Sequence, residues 1–315
     1  MSVDKMNSII CKNLSKVYID GKNRKTALNN LSFTFEGNGI LAIIGRNGAG
    51  KTTLVRMLST ELMPTRGTAK INDFDVITEP EKIRELIAIV PQEARAIQWL
   101  TPKQTIISYL MYRGIGFSKA SSMAESTLKQ LSLEKQLNKL NRLLSGGTKR
   151  KVLVATVLSS GAKIIFLDEP TTGLDPISRS DLWTLLNKLK KEYLIILTTH
   201  YLEEAERLAD KIGIIENGNL LAFDSINGLR KKLKYKYSIR IVDSMVKIKN
   251  KDAISIKGID GNQQILTNER TSSEISKKLI KDGVRFSTNI VSLEDIFYYL
   301  VKKPINEEKE DNDEW

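Results

Sequence analysis

The stretch GILAIIGRNGAGKTTLVRML, residues 39–58, decides how this chain folds. It begins with a short apolar run that ends at a glycine, and it closes with apolar residues at helical spacing. Between them, GRNGAGKT (45–52) fits the pattern G-x-x-x-x-G-K-[ST], which is informative only when a strand precedes it and a helix follows. The flanking residues supply that context, and they predict a strand, a tight glycine-rich loop and a helix in succession.

A loop of this composition binds phosphate for a direct physical reason. Its glycines let successive backbone N–H groups point into one concavity, and the start of the next helix adds a positive dipole. Lys51 can place an ammonium group on the β- and γ-phosphates of a nucleotide, and the Thr52 hydroxyl is a hard oxygen ligand for Mg²⁺. Nucleotide contacts are predicted for Gly45, Arg46, Asn47, Gly48, Ala49, Gly50, Lys51, Thr52 and Thr53.

Three more apolar runs follow this loop along the chain. They are LIAIVP (86–91), KIIFLDEP (163–170) and YLIILTTH (193–200), and helix-like stretches lie between them. Apolar strands that alternate with helices predict an α/β domain with a largely parallel sheet covered on both faces. KIGIIENGNLLAFDS (211–225) instead predicts a hairpin around an Asn-Gly turn.

Acidic residues and a histidine end two of these runs. Asp168 and Glu169 stand at the carboxyl end of IIFLDEP, and open α/β sheets bind ligands at that edge. One carboxylate can hold Mg²⁺, and the other can polarise a water molecule that attacks the γ-phosphate. His200, the only histidine among the 315 residues, ends another strand and is expected at the same edge.

The segment LSGGTKRKV (144–152) is a second candidate anion site. Ser145, Gly146 and Gly147 would present backbone N–H groups at the start of a helix. Taken alone, these residues fit an ordinary glycine-containing helix start at least as well. Two phosphate-binding helix starts in one chain would require an explanation.

The order of these motifs resembles the nucleotide-binding subunit of an ATP-binding cassette (ABC) transporter, over about residues 7–226. Tyr18 stands where that family stacks an aromatic ring on adenine, and Gln92 matches its Q-loop. LSGGT matches its signature, and IIFLDEP matches Walker B with Glu169 as the catalytic carboxylate. Asp175 in TTGLDP matches the D-loop, and LTTH matches the H-loop.

The resemblance implies a P-loop NTPase cassette with a RecA-like core, an antiparallel β subdomain and a helical subdomain at about 93–150. We assign the cassette to residues 1–227. The residues that follow predict a small α+β accessory domain at 228–304, because period-two strand patterns alternate there with helix-start signals. The acidic segment INEEKEDNDEW, residues 305–315, predicts a disordered tail.

Two helix-start signals lie in the predicted accessory domain. Thr271 with Glu274, and Ser292 with Asp295, have the spacing of a capping box. They predict one helix that opens at Thr271 and another that opens at Ser292.

The resemblance also assigns roles to the site residues, with ATP and Mg²⁺ as cofactors. Glu169, His200 and Lys51 would be catalytic, and His200 would contact the γ-phosphate and help to orient the attacking water. The implied Mg²⁺ ligands are Thr52, Gln92 and Asp168. Besides the phosphate loop, the implied ATP contacts are Tyr18, Gln92, Ser145, Gly146, Gly147 and Asp175.

The resemblance explains the two anion sites as halves of a shared pocket. Two cassettes of this family pack head to tail, so the signature of one subunit serves the ATP on the other's phosphate loop. The implied partner is a second copy of this chain or a homologous cassette. Two departures from the family pattern stand out: Thr148 replaces a usual glutamine, and the stretch after Gln92 is atypical where the family meets its membrane partner.

Composition restricts the class of protein. Hydrophobic residues make up 41% and charged residues 27%, which is typical of a globular chain. The apolar runs are far shorter than the ~20 residues of a membrane-spanning helix, and the N-terminus has no leader-like apolar segment. With Cys11 as the single cysteine, these features predict a soluble protein of a reducing compartment.

Within this family, the C-terminal residues resemble ATPases of ABC-2 type exporters. That likeness implies a cytoplasmic subunit at the inner face of the cell membrane, working with separate transmembrane permease chains. The alternative is a soluble cassette ATPase that acts on ribosomes or nucleic acid, which the net charge of +12 would favour. Nucleic acid is disfavoured as a partner because no aromatic-lined basic groove is evident. Co-purification separates the two hypotheses: a membrane partner supports the exporter, and salt-sensitive nucleic acid supports the alternative. An importer ATPase is disfavoured by the same C-terminal likeness.

The basic segment LRKKLKYKYSIR, residues 229–240, has two open interpretations. It could lie near anionic lipid headgroups, or it could be a solvated charged linker, and the second is favoured.

Overall fold

The computed structural model divides into two compact units, Met1–Leu220 and Leu221–Trp315. The predicted cassette boundary, at residue 227, lies a few residues beyond this division. The predicted acidic tail at 305–315 lies outside the described residues. The structure describes residues 6–21, 23–242, 245–246, 250–257 and 262–301.

The first unit contains two sheets and seven α-helices among its described residues. Its strands are β1 (Ser8–Asp20), β2 (Asn23–Glu36), β3 (Gly39–Ile44), β4 (Arg66–Ile71), β5 (Phe74–Asp75), β6 (Ile87–Val90), β7 (Ile164–Asp168), β8 (Leu194–Thr199) and β9 (Lys211–Glu216), with β10 (Asn219–Asp224) crossing the division. Its helices are α1 (Lys51–Leu58), α2 (Pro80–Leu86), α3 (Pro102–Tyr112), α4 (Phe117–Gln130), α5 (Gly146–Leu158), α6 (Pro176–Leu189) and α7 (Leu202–Leu208).

The central sheet has the strand order β10-β9-β3-β8-β7-β6. Strands β6, β7, β8, β3 and β9 run parallel, and their residues are almost all buried because helices cover both faces. This architecture confirms the predicted α/β class. At the β9–β10 hairpin, Asn217 (φ 48°) and Gly218 (φ 77°) both have the left-handed backbone that a type I′ turn requires.

The parallel register brings the predicted functional residues to one edge. Asp168, the last residue of β7, lies opposite Thr198 of β8, and Ile44, the last residue of β3, lies opposite Thr199. Glu169, His200 and the loop that starts at Gly45 therefore leave the sheet at its carboxyl edge, as the sequence predicts.

A second sheet, of order β2-β1-β4-β5, is antiparallel throughout. Its first hairpin pairs Tyr18 with Lys25. This sheet matches the antiparallel β subdomain that the family resemblance implies, and it carries Tyr18 to the rim of the cleft described below.

Three helices form the predicted helical part of the first unit. α3 opens with a capping box in which Thr101 and Gln104 each accept a hydrogen bond from the other's backbone N–H. Buried side chains of α3, α4 and α5 share one apolar cluster, which includes Ile106, Leu128 and Val152. Since α5 continues to Leu158, helical structure extends beyond residue 150.

The second unit is an antiparallel sheet with helices. Its strands are β11 (Tyr237–Ile241), β12 (Ala253–Lys257), β13 (Gln263–Thr267) and β14 (Phe286–Ile290), in the order β12-β13-β11-β14. Its helices are α8 (Ile226–Lys232), α9 (Glu269–Lys281) and α10 (Leu293–Val301). Ile275 and Leu279 of α9 pack against Ile239 and Ile265 of the sheet.

One of the two predicted helix starts is wrong. α9 begins at Glu269, and its cap is Asn268, whose side-chain oxygen accepts from the Thr271 N–H at 2.9 Å. Asparagine is at least as good a cap as threonine, and Thr271 is instead buried. The other signal is correct: Asp295 accepts from the Ser292 N–H at 2.8 Å, and Ser292 accepts from the Asp295 N–H at 3.2 Å.

Candidate active site

The loop between β3 and α1 depends on two glycines that lie against neighbouring backbone. A Cβ atom at Gly50 (φ +112°) would lie 2.4 Å from the carbonyl oxygen of Ala27. A Cβ atom at Gly45 would lie 2.2 Å from that of Ile215. Both distances are far shorter than any real Cβ contact, so only glycine fits at either position. The loop is thereby held in one shape beside the start of α1.

Lys51, the first residue of α1, folds back across this loop. Its ammonium donates to the carbonyl oxygens of Gly45 at 2.9 Å and Arg46 at 3.2 Å, and its side chain is 5% exposed. A positive charge is thus fixed where the backbone N–H groups of the loop and the dipole of α1 also favour an anion.

An open cleft of about 490 Å³ lies over this loop. It is large enough for a nucleotide and is lined by polar and cationic groups of the first unit. Most of the residues predicted from sequence line it: Tyr18, Asn47, Gly48, Gly50, Lys51, Thr52, Thr53, Gln92, Glu169 and His200. Arg46 and Ala49 line a neighbouring hollow. There the Nη1 of Arg46 lies 4.0 Å from the Oε1 of Glu216.

Four side chains converge on the carboxylate of Glu169, which is 7% exposed. Its Oε2 accepts from the Gln92 amide at 3.2 Å and from the Thr172 hydroxyl at 3.2 Å, and the His200 Nδ1 lies 3.1 Å away. Its Oε1 lies 3.5 Å from the Lys51 ammonium. One buried carboxylate therefore joins the ends of β6, β7 and β8 to the phosphate loop.

The contact with Glu169 assigns the position of one proton on the His200 ring. An ionised carboxylate only accepts hydrogen bonds, so the Nδ1 of His200 carries a proton in this arrangement. The other ring nitrogen, Nε2, then accepts in the neutral ring and donates only in the imidazolium.

Asp168 is placed differently from the other predicted metal ligands. It is 3% exposed, and one of its oxygens accepts from the hydroxyl of Thr198. Thr52 and Gln92 line the cleft directly. The described residues contain no cluster of three or more His, Cys, Asp or Glu side chains suited to a metal. A hydroxyl, an amide and one carboxylate are hard oxygen donors that fit Mg²⁺, which keeps water and phosphate oxygens as its other ligands.

The predicted signature residues do not line the cleft. Ser145 caps α5, because its hydroxyl oxygen accepts from the Thr148 N–H at 3.2 Å. Ser145 and Gly146 are exposed, whereas Gly147 is buried against α6, and a Cβ there would lie 2.4 Å from the Ser178 hydroxyl oxygen. Gly147 is thus needed for α5 and α6 to pack.

Asp175 also lies apart from the cleft. It caps α6 by accepting from the N–H groups of Ile177 at 3.1 Å and Ser178 at 2.9 Å. Hydrogen bonds from Ser178 hold the pKa of the Asp175 carboxyl below its usual value. The structure therefore assembles the phosphate-loop half of the predicted site in one chain and leaves Ser145, Gly146, Gly147 and Asp175 outside it.

Sequence reasoning missed Thr172 and Lys25, which both line the cleft. Thr172 could have been found, because it lies in the turn that directly follows the Asp-Glu pair. Lys25 could not, because only the pairing of β1 with β2 sets it opposite Tyr18.

Comparisons with known proteins identify the family to which the chain is similar. The family model described as ABC transporter matches residues 28–172. Human phospholipid-transporting ATPase ABCA3 is 34% identical over 239 residues, which cover 76% of this chain and 14% of that protein. ABC transporter A family member 7 of Arabidopsis thaliana is 30% identical over 320 residues, which cover 94% of this chain and 34% of that protein.

The chain carries an ATP-binding cassette of the ABC transporter family. The cassette is therefore an ATPase with the P-loop NTPase fold. It spans between 14% and 34% of the length of the two relatives just named. Among the described residues, no helix combines the length and the apolar character that a membrane span requires.

Solved structures of other cassettes have the same fold. A cassette solved as a dimer in a post-hydrolysis state with ADP and Pi superposes with a TM-score of 0.61 and 25% identity, over 69% of this chain and 98% of that one. The ATP-binding subunit of an ABC transporter superposes with a TM-score of 0.61 and 28% identity, over 71% of this chain and 92% of that one.

A buried carboxylate lies in α7, the helix that follows His200 in the chain. Glu204 of α7 is 0% exposed, and its Oε1 accepts from the Trp183 indole N–H at 2.9 Å. Burial raises the pKa of the Glu204 carboxyl. A raised pKa means that the folded state favours the protonated carboxyl. The contribution of Glu204 to the free energy of unfolding is therefore fully present below about pH 4.3, the pKa of glutamate in an unfolded chain. It is lost as pH rises through the higher pKa that Glu204 has in the folded state.

Glu204→Gln is accordingly expected to stabilise the cassette at pH 8. The amide keeps an oxygen for the Trp183 N–H and removes the buried charge, so the melting temperature should rise by roughly 2–4 °C, equivalent to about 1 kcal/mol. The gain should vanish near pH 4.5, and calorimetric melting across that range measures it. The neighbouring exposed Glu203 is the matched control, and Glu203→Gln should have no pH-dependent effect. A lower melting temperature for Glu204→Gln at pH 8 would contradict the assignment.

Proposed function

We propose that the cassette is the ATP-hydrolysing subunit of an ABC-2 type exporter. Two cassettes would close head to tail on ATP and drive export through separate permease chains at the inner face of the cell membrane. One observation carries this proposal. Lys51, Gln92 and His200 converge on Glu169 in the cleft, while the signature residues lie outside it. A second subunit would bring its signature to the exposed side of that cleft.

Glu169 is proposed as the base in hydrolysis. The attacking water would form a bond to the γ-phosphorus, the bond from that phosphorus to the bridging oxygen of ADP would break, and the water proton would go to a Glu169 oxygen. Gln92 and His200 hold Oε2 at 3.2 Å and 3.1 Å, which fixes the direction of the carboxylate. Mg²⁺ bound through Thr52, Gln92 and Asp168 would supply charge neutralisation at the phosphates.

The signature is proposed to bind the partner's γ-phosphate. The N-terminus of α5 combines an exposed serine with two glycines and carries no acidic residue in its first turn. ATP would then stabilise the closed pair only through contacts that exist in the closed state, and hydrolysis would remove them.

Exposed apolar side chains support a membrane partner. Trp99, which follows the Q-loop, is 76% exposed, Tyr112 at the end of α3 is 91% exposed and Phe117 at the start of α4 is 63% exposed. Large apolar side chains are depleted on free surfaces and enriched at interfaces. Trp99 lies in the stretch after Gln92, where the family resemblance implies contact with the permease.

A mixing experiment tests the head-to-tail site. Gly146→Asp would place a carboxylate against the partner's γ-phosphate, and Lys51→Ala removes the ammonium of the phosphate loop. Each pure variant should be inactive. A mixed dimer joins both defects in one site and leaves its other site intact. In an equal mixture with random pairing, about half of the dimers are mixed, so the mixture should recover about a quarter of the wild-type rate. Steady-state ADP release measures it.

The structure provides the control for this experiment. A Cβ at Gly146 would meet only Leu174, at 3.9 Å, so a side chain fits there without disturbing the fold. Gly146→Asn has the shape of the aspartate without its charge and should stay active. If the mixture is no more active than the two pure variants, each ATP is bound within one chain and the proposed arrangement is wrong.

A further inference from the structure

Arg150 is a buried arginine with no role in the site described so far. It lies in α5 and is 7% exposed. Its Nη2 donates to the carbonyl oxygen of Glu169 at 2.8 Å, and its Nε donates to that of Pro170 at 2.5 Å. Its hydrogen-bond partners are thus neutral main-chain groups on the strand end that carries the proposed base.

The charge of Arg150 is costly where it lies. Burial lowers the pKa of its guanidinium, and the nearby charge of Arg95 acts in the same direction. Asp168 and Glu204 act in the opposite direction. An apolar side chain of similar volume would often stabilise a fold more than a buried charge does, so stability alone does not explain Arg150.

The backbone of Glu169 needs such support. Glu169 has φ 48°, in the left-handed region that is unfavourable for a residue with a side chain. The other non-glycine residues with positive φ among those described are Asn, Thr or Ser, so Glu169 is the charged exception in that set. Its N–H is held by Thr198, through the carbonyl oxygen at 3.1 Å and the hydroxyl oxygen at 3.0 Å. Arg150 binds the carbonyl oxygen of Glu169, at the opposite end of the residue from this N–H.

We propose that Arg150 is a positioning residue for Glu169. It fixes the left-handed backbone from which the Glu169 carboxylate reaches Gln92, Lys51 and His200. The planar guanidinium fork suits two consecutive carbonyl oxygens, whereas a lysine ammonium is a single point charge. This inference rests on the proposed role of Glu169 as the base.

The position of Arg150 on α5 gives this contact a wider consequence. Ser145 caps α5, so one rigid helix carries the exposed signature at its start and Arg150 within its second turn. Displacement of α5 would move the two donors that hold the carbonyl oxygens of Glu169 and Pro170. Arg150 therefore connects the proposed partner-facing surface of a subunit to the proposed base of the same subunit.

Arg150→Gln and Arg150→Lys, made in the full chain, test this proposal. Both should lower the rate at saturating ATP at least tenfold, while the KM for ATP and the calorimetric Kd of ATP stay within threefold of wild type. Lysine should restore little of the rate, because it cannot donate to both carbonyls in the same way. Lys151→Gln, which removes the neighbouring ion pair with Asp181, is the matched control and should stay within twofold of wild type.

A second measurement separates positioning from a general loss of structure. In the Glu169→Gln background, Arg150→Gln should leave ATP affinity and ATP-driven dimerisation unchanged. The proposal is overturned if Arg150→Gln hydrolyses ATP at the wild-type rate, if ATP affinity falls together with the rate, or if lysine restores the rate fully. If Glu169→Gln itself turns over normally, it is the assignment of the base that has failed.

Discussion

Glu169→Gln is expected to lower ATP turnover at least about a hundredfold while ATP affinity stays close to wild type, since general-base catalysis contributes roughly 10²–10⁴ to the rate. Glutamine is nearly isosteric with glutamate and retains an oxygen that can accept from Gln92, Thr172 or His200. It has no basic oxygen that can take a proton from water. The variant should therefore bind ATP, close on it and remain closed.

A coupled assay of ADP release, calorimetry with ATP and size-exclusion chromatography in the presence of ATP together measure this result. Slow turnover should coincide with accumulation of an ATP-dependent dimer. Glu203→Gln is the control, because it removes an exposed carboxylate three residues after His200. Turnover of Glu169→Gln at the wild-type rate would show that another group accepts the proton.

Much of this site is predictable because local sequence determines it. The run GILAIIG predicts a short buried strand because of its length and its flanking glycines, and the β3–loop–α1 unit follows from the glycine spacing. Asp168 and His200 each end an apolar run, so parallel pairing of β7 and β8 brings both to one edge. The Asn217–Gly218 turn follows from its dipeptide, as both residues tolerate positive φ.

What sequence could not predict depends on contacts between distant segments. Arg150 reaches the carbonyl of Glu169, 19 residues further along the chain, only because α5 packs beside the end of β7. The bond from Thr198 to Asp168 spans 30 residues and turns one oxygen of that carboxylate toward β8. The start of α9 was mispredicted because two capping signals compete within a few residues, and burial of Thr271 decides between them.

The same distinction explains why the signature was ambiguous from sequence. A serine and two glycines before a helix fit either an anion site or a simple helix start. The two glycines differ in the structure: Gly147 is required for packing against Ser178, whereas a Cβ at Gly146 would meet only Leu174, at 3.9 Å. Packing therefore explains Gly147, and Gly146 is the glycine that the proposed composite site would use.

Lys51→Ala is expected to weaken ATP binding about tenfold to a hundredfold, since a hydrogen bond to a charged group contributes about 1.5–3 kcal/mol. This loss of ATP affinity should exceed the loss caused by removing another cation of the cleft. The reason is that the carbonyls of Gly45 and Arg46 already fix the Lys51 ammonium, so it needs little ordering when phosphate binds. Calorimetric titration with ATP measures the affinity, and thermal melting without nucleotide shows whether the fold is retained. Lys25→Ala, which removes another ammonium lining the same cleft, is the matched control and should cost less than threefold. Equal losses for the two lysines would mean that the cleft attracts ATP by its net charge alone, and the specific geometry assigned to the phosphate loop would then be wrong.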